Sequence, residues 1–304
     1  MHLGTDQHGK FCTLPERTAS GPATVITKQY LLEHEALALP PRRLILAIIP
    51  HMSSVPTTEP VTPRPAATLI LVREGPGAPE VLLMERGAGA RFMPGAYVFA
   101  GGGVDPLDSR PEAYALSPYL TDERASATLK VDQHGLAYYV AAVREALEEC
   151  GLLLAYEADD SIVKLSHWQE EQLHSLRNNL NRQHLNLPQL CRERGWRLAL
   201  DQLHYFAHWI TPPAATQRFD TRFFICRAPD HQTASLASAE MSTLIWRTAA
   251  SALDQGDAGD ITLVHATREM LKEIADFAHV ETLLEYASQP REITTVLPTF
   301  PVSY

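Results

Sequence analysis

Glu145, Glu148 and Glu149 stand three and four residues apart, the spacing that brings side chains onto one face of an α-helix. Carboxylates so placed repel one another, and the arrangement costs stability by itself. A hard divalent cation removes that cost, because Mg²⁺ or Mn²⁺ takes carboxylate oxygens and keeps waters that a substrate can displace. Arg144, immediately before them, can reach Glu148 one turn on and hold a carboxylate in its rotamer. From the three glutamates alone, a solvated acidic helix face is the competing reading.

The elements that must position these groups are legible around them. Leu136, Val140, Val143 and Leu147 recur at three- and four-residue steps, which predicts a helix over 136–149 ending at Gly151. Its apolar side anchors it to a core. Upstream, 67–72 and 80–85 are short apolar runs split by Gly75, Pro76 and Gly77, a strand, turn and strand. Residues 97–99 predict a third strand ending at Gly101, Gly102 and Gly103. Downstream, 205–210, 222–226 and 243–246 read as strands, while 168–180, 249–253 and 265–277 read as helices, with Gly256 and Gly259 between the last two. Strands interleaved with helices imply an α/β or α+β sandwich.

Arg144, Glu145, Glu148, Glu149 and Gly151, followed by the aliphatic Leu152, resemble the core of the Nudix box at every defining position. The resemblance implies an α/β/α sandwich around a mixed central sheet, with helical insertions, and a hydrolase that cleaves a diphosphate linkage. The first half of the box falls on Gly102, with Asp108 where the family has glutamate and Ala100 where it has proline. Residues 109–143 then stand where the family has a short connection, so the box is split. The resemblance implies Glu145, Glu148, Glu149 and the backbone at Gly102 as metal ligands, Mg²⁺ or Mn²⁺ as cofactor, and Arg144 as part of the catalytic set. Glu145 and Glu240 are the two candidates for general base, the second because a late loop often supplies a carboxylate in this family.

Before the box, Leu82, Leu83, Arg86, Arg91, Gly95, Phe99, Gly101 and Gly102 keep every interval of the motif of the coenzyme A diphosphatase branch. Met84, Gly87 and Ala100 depart from its residues. A split box, together with Trp209 to Pro212 and Arg218 to Phe224, resembles the group of that branch that includes the mammalian peroxisomal member. The implied substrate is coenzyme A or an acyl-coenzyme A, giving 3′,5′-ADP and (acyl-)4′-phosphopantetheine. Arg86 and Arg91 would bind its phosphates, beside Gly101 and Gly102. ADP-ribose or NADH is the alternative substrate, and a non-catalytic nucleotide-binding regulator is the alternative of another class.

Composition bounds the rest. At 304 residues with 45% hydrophobic side chains, the chain is long enough for a sizeable core. A formal net charge of −10 argues against a nucleic-acid surface and requires that cations be brought to an anionic substrate. No apolar run is long enough for a membrane span. Cys12, Cys150, Cys191 and Cys226 lack paired or metal-type spacing, as expected for reduced thiols in a cytoplasmic protein. The final residues, Pro301 to Tyr304, are not a peroxisomal tripeptide. Residues 1–60 are expected to be a poorly ordered extension, with Met52 as a natural start that leaves 1–51 dispensable. The hydrolase domain is expected over 61–290, with insertions at about 109–136 and 156–204 and a tail over 291–304. The insertion is read as either a homodimer interface or a lid. His204 and His208, four apart on a strand, and Asp220 are read as structural.

Overall fold

The computed structural model describes residues 61–299, apart from 91–92, 165–171, 173–174, 176, 181–185 and 237–239. The expected N-terminal extension, Arg91 and the start of the helix expected from residue 168 lie outside the described residues; 177–180, at the end of that helix, are helical.

The fold is built on β1 (Arg64–Glu74), whose alternate residues serve two cores. Ala67, Leu69 and Leu71 enter one, Ile70 and Val72 the other. A strand covered on both faces needs no polar alternation, which is why 67–72 reads as an almost unbroken apolar run. β8 (Phe219–Arg227) runs parallel to β1 from Arg64 opposite Phe219 to Val72 opposite Arg227. Along β1's other edge, β4 (Ala100–Gly103) pairs with 66–69 and β2 (Pro79–Arg86) with 72–74, both antiparallel.

Around these lie β3 (Ala96–Val98) and β9 (Met241–Thr248) against β2, and β7 (His204–Ile210) against β8. The short β10 (Thr262–Leu263) pairs with β3, and β11 (Thr295–Val296) pairs with β7. The result is a nine-stranded mixed sheet. Part of the segment expected as a C-terminal tail therefore belongs to the sheet. A separate two-stranded ribbon joins β5 (Ala155–Tyr156) to β6 (Arg197–Leu198).

Helices cover both faces, giving the expected α/β/α sandwich. On one side lie α1 (Pro111–Tyr114), α2 (Asp122–Leu129), α3 (Gly135–Cys150) and α4 (Leu187–Arg194). On the other lie α5 (Ala249–Ala258), α6 (His265–Ala275) and α7 (Val280–Ser288). α5 outruns its expected end, passing through Gly256, where a Cβ would lie 2.8 Å from Leu263 Cδ1. Close packing on β10 outweighs glycine's low helix propensity there, and the helix stops at Gly259, whose φ is 81°.

α3 is the carboxylate helix, and both of its ends are fixed. Val140, Val143 and Leu147 are fully buried, as their spacing implies. Gly151 adopts φ 74° and donates its N–H to Leu147 O at 3.1 Å. At the start, His134 is left-handed with φ 61° and supplies no side-chain cap. The cap comes instead from α2, inside the split box. Asp122 accepts the His134 and Leu136 N–H groups at 3.0 and 2.9 Å, and Ser126 Oγ accepts that of Gly135 at 2.9 Å. A Cβ on Gly135 would come within 2.5 Å of Ser126 Cα, so glycine sets the closeness of the two helices.

Removing the borrowed cap by Asp122→Ala is expected to lower the unfolding free energy by about 1–2 kcal/mol. Urea denaturation checks this, and a shift below about 0.3 kcal/mol would show that water caps α3 equally well.

Candidate active site

Arg144 binds four residues on three segments through five acceptor atoms. Its Nε and one terminal nitrogen donate to the two Asp108 carboxylate oxygens, both at 3.0 Å, and that same terminal nitrogen reaches Gly103 O at 2.8 Å. The other terminal nitrogen donates to Glu145 Oε1 at 2.8 Å and Glu148 Oε2 at 3.0 Å. A planar guanidinium suits this task because its donors leave in fixed directions. Asp108 is 2% exposed and is itself held by the Asp105 N–H at 2.8 Å, inside a short 3₁₀ turn over Pro106–Ser109. The carboxylate that stands for the family's glutamate thus faces Arg144.

Glu149 takes a different partner: Gly101 N donates to its Oε2 at 2.9 Å. The glycine run makes this approach possible. A Cβ on Gly101 would meet Ala67 O at 2.6 Å, and one on Gly102 would lie 2.6 Å from Glu145 Cδ. Lacking side chains, β4 comes flush against both β1 and the glutamates.

Burial dominates the electrostatics. It raises the Glu149 carboxyl well above its ordinary range, reinforced by the charge of Glu145 and opposed by the Gly101 N–H and Arg86. Glu145 is raised for the same reason, against the pull of Arg144. Glu148 is pushed up to about 7 by burial, with Arg144 opposing and Glu145 reinforcing. Asp108 is also raised by burial, although Arg144 acts against it. Burial alone would lower the Arg144 pKa, but its bonds to Asp108 and the glutamate charges reverse the sign. Three carboxylates, Asp108, Glu145 and Glu148, therefore share one central guanidinium, and with Glu149 beside them negative charge is in excess where water reaches little.

Glu145 and Glu149 open into a cleft of about 430 Å³, also lined by Arg86, Glu240, Gly101 and Gly102. Its apolar wall is Val98, Phe99, Phe219, Phe223 and Val264. Sequence reasoning had not assigned Phe219, Thr221 and Phe223 to the site. Their odd-numbered positions on β8 are the signal, since period two puts them on one face. Glu240 lies exposed at the cleft, its backbone carbonyl accepting the Gly87 N–H at 2.7 Å. Among the described residues, no three His, Cys, Asp or Glu side chains form a ready-made ion cage; Arg144 stands between Glu145 and Glu148. Their chemistry nevertheless fits a hard cation, being all oxygen donors with unbalanced negative charge.

A carboxylate helix docked against a glycine-lined strand in an α/β/α sandwich defines the class as Nudix. The chain belongs to the family described as the NUDT19 Nudix domain, whose model matches residues 110–266. That span holds α3 and Glu240 but begins after Arg86, Gly102 and Asp108. The acyl-coenzyme A diphosphatase NUDT19 of Xenopus laevis is 26% identical over 237 residues, covering 68% of this chain and 62% of the relative. That of Homo sapiens is 26% identical over 236 residues, covering 68% and 63%. The chain thus spans less than two thirds of these relatives. Among solved structures, a NUDIX hydrolase from Alicyclobacillus acidocaldarius is 27% identical with a TM-score of 0.59, covering 74% of this chain and 96% of that one.

The raised Glu148 carboxyl has a measurable consequence. Between pH 4.5, its ordinary value, and about 7, the folded chain holds a proton that the unfolded chain has released. Stability therefore falls as pH rises through that window and levels off above it. With EDTA present, the loss is expected to be on the order of 2–3 kcal/mol, followed by urea unfolding, and smaller in Glu148→Gln. Wild-type stability that holds constant or rises across the window would contradict the burial reading.

Proposed function

We propose that the chain hydrolyses the diphosphate of coenzyme A or an acyl-coenzyme A, releasing 3′,5′-ADP and the corresponding 4′-phosphopantetheine. The observation that carries the hydrolytic reading is the buried, over-negative set of Glu145, Glu148 and Glu149, of which Glu145 and Glu149 line a cleft. A nucleotide-binding regulator would have no use for so costly a cluster. The coenzyme A reading is supported by the names of the relatives, by the intervals running from Leu82 to Gly102, and by the cleft's composition. Arg86 lines the cleft and suits a phosphate, and the aromatic residues offer apolar surface to a pantetheine or acyl arm.

Glu145, Glu148 and Glu149, with the backbone at Gly102, would hold Mg²⁺ or Mn²⁺. When bound, the ion supplies polarisation of the diphosphate and activation of water. The chain's own groups do the positioning. Arg144 fixes the rotamers of Glu145 and Glu148, and the Gly101 N–H fixes Glu149. Glu145 and Glu240 both face the cleft, and either carboxylate can accept the proton of the attacking water. Arg91, expected to share phosphate binding with Arg86, lies outside the described residues. The setting we propose is cytoplasmic: Cys150, Cys191 and Cys226 are free thiols, and among the described residues no helix is long and apolar enough to cross a membrane.

Incubation with Mg²⁺ or Mn²⁺ and coenzyme A, an acyl-coenzyme A, ADP-ribose or NADH, read by mass spectrometry, tests this. We expect 3′,5′-ADP from the coenzyme A substrates and a fall of at least about 10²-fold in Glu149→Gln. Cleavage of ADP-ribose or NADH alone would keep the hydrolase and discard the coenzyme A assignment. No cleavage of any of the four would overturn the proposal.

A further inference from the structure

β8 presents its odd residues to the substrate cleft and its even ones to the opposite face of the sheet. There, Arg222 lines a second cavity of about 650 Å³, closed by α2 on one side and by the segment following α7 on the other. Neither wall contributes a residue to the cleft. The volume lies within the usual range for small-molecule sites, roughly 300–1,000 Å³.

Its lining is one-signed. Arg124, Lys130, His204, His208, Arg222 and Arg291 all contribute, and none of the described lining residues is acidic, in a chain of net charge −10. The nearby carboxylates are paired with these groups. Asp220 pairs with Arg222 and, at 2.5 Å, with His208, whose Nδ1 meets Thr295 Oγ1 at 2.8 Å. Glu273 accepts from Arg291 at 2.8 Å, and Glu292 lies 3.7 Å from Lys130. Arg124 donates to Tyr119 O at 3.2 Å.

These partners do not satisfy every donor, although Arg291 also donates to Phe206 O at 2.6 Å. The Arg222 side chain is only 6% exposed, yet its Nε has no hydrogen-bond partner, and neither does Arg291 Nε. A buried guanidinium N–H without an acceptor is costly, and native structures seldom leave one so without a reason. Burial also holds the His204 imidazole below its ordinary pKa, with Asp201 opposing, so a negative charge there would meet a group able to gain a proton. Lys130 is itself unusual. It occupies the left-handed position that ends α2, with φ 54° and ψ 47°, where glycine or asparagine is favoured.

We infer that this cavity is a second, separate binding site for the phosphate group of a small phosphorylated ligand, held by Arg222 and Arg291 within and by Arg124 and Lys130 at the rim. Phosphate fits better than a carboxylate because its oxygens can meet cationic donors arriving from several directions.

The test is calorimetric titration of inorganic phosphate into the full chain, in EDTA and at constant ionic strength with chloride. Wild type and Glu149→Gln should bind alike, since the site lies away from the cleft. Arg124→Gln with Lys130→Gly should weaken binding at least about tenfold. The second of these substitutions suits the left-handed backbone, so the fold is kept. Arg222→Met should weaken it further, with circular dichroism confirming that it folds. Three results would each overturn the inference: no binding up to about 10 mM phosphate, affinity unchanged in the rim variant, or binding abolished in Glu149→Gln.

Discussion

Arg144 is the one cation to which Asp108, Glu145 and Glu148 all turn, in a place where burial penalises every one of those charges. Removing one partner from such a group strands the others, at a typical cost of about 3–5 kcal/mol for a buried pair. The surrounding structure can be understood as what this ion group requires. α3 must not rotate, so Val140, Val143 and Leu147 lock its inner face and Asp122 caps its first turn from a neighbouring helix. The facing strand must come close, so its residues are glycines. Asp108 must be delivered from the far side of the split box, so a 3₁₀ turn with a reciprocal Asp105–Asp108 cap presents it.

The same constraint gives meaning to the long insertion. A short connection would hold the two halves of the box together by the chain itself. Here the intervening segment folds into α1 and α2, and α2 returns to the start of α3 to satisfy its N–H groups. The insertion thus contributes to the rigidity of the carboxylate helix as well as enlarging the molecule. It also forms one wall of the cationic cavity, so a single inserted helix touches both the carboxylate helix and the cavity we assign to phosphate.

Much of this was legible in the sequence. α3, its inner face and its glycine stop follow from periodicity and from the residue that tolerates positive φ. β1, β2 and β8 follow from their apolar runs. The three glutamates and Gly101 and Gly102 come together because their spacing fixes a face and their lack of side chains fixes an approach. What periodicity could not show depends on distant partners. His134 carries no capping signal, since its cap comes from Asp122. Gly256 looks like a linker until Leu263 is seen packed on it. Asp108 shows in the sequence only as the residue standing where the family has glutamate, and it takes the structure to show Arg144 holding both of its oxygens. The residues of the cationic cavity run from Arg124 to Thr295, and no local pattern unites them.

The central claim is that the buried glutamates of α3 exist to hold a divalent cation. Electron paramagnetic resonance of Mn²⁺ added to the full chain measures this without reference to any substrate. The account predicts that the free-ion signal is quenched by wild-type protein at sub-millimolar concentration and recovered with Glu149→Gln. A free-ion signal undiminished by wild type, or quenched equally by the variant, would contradict it.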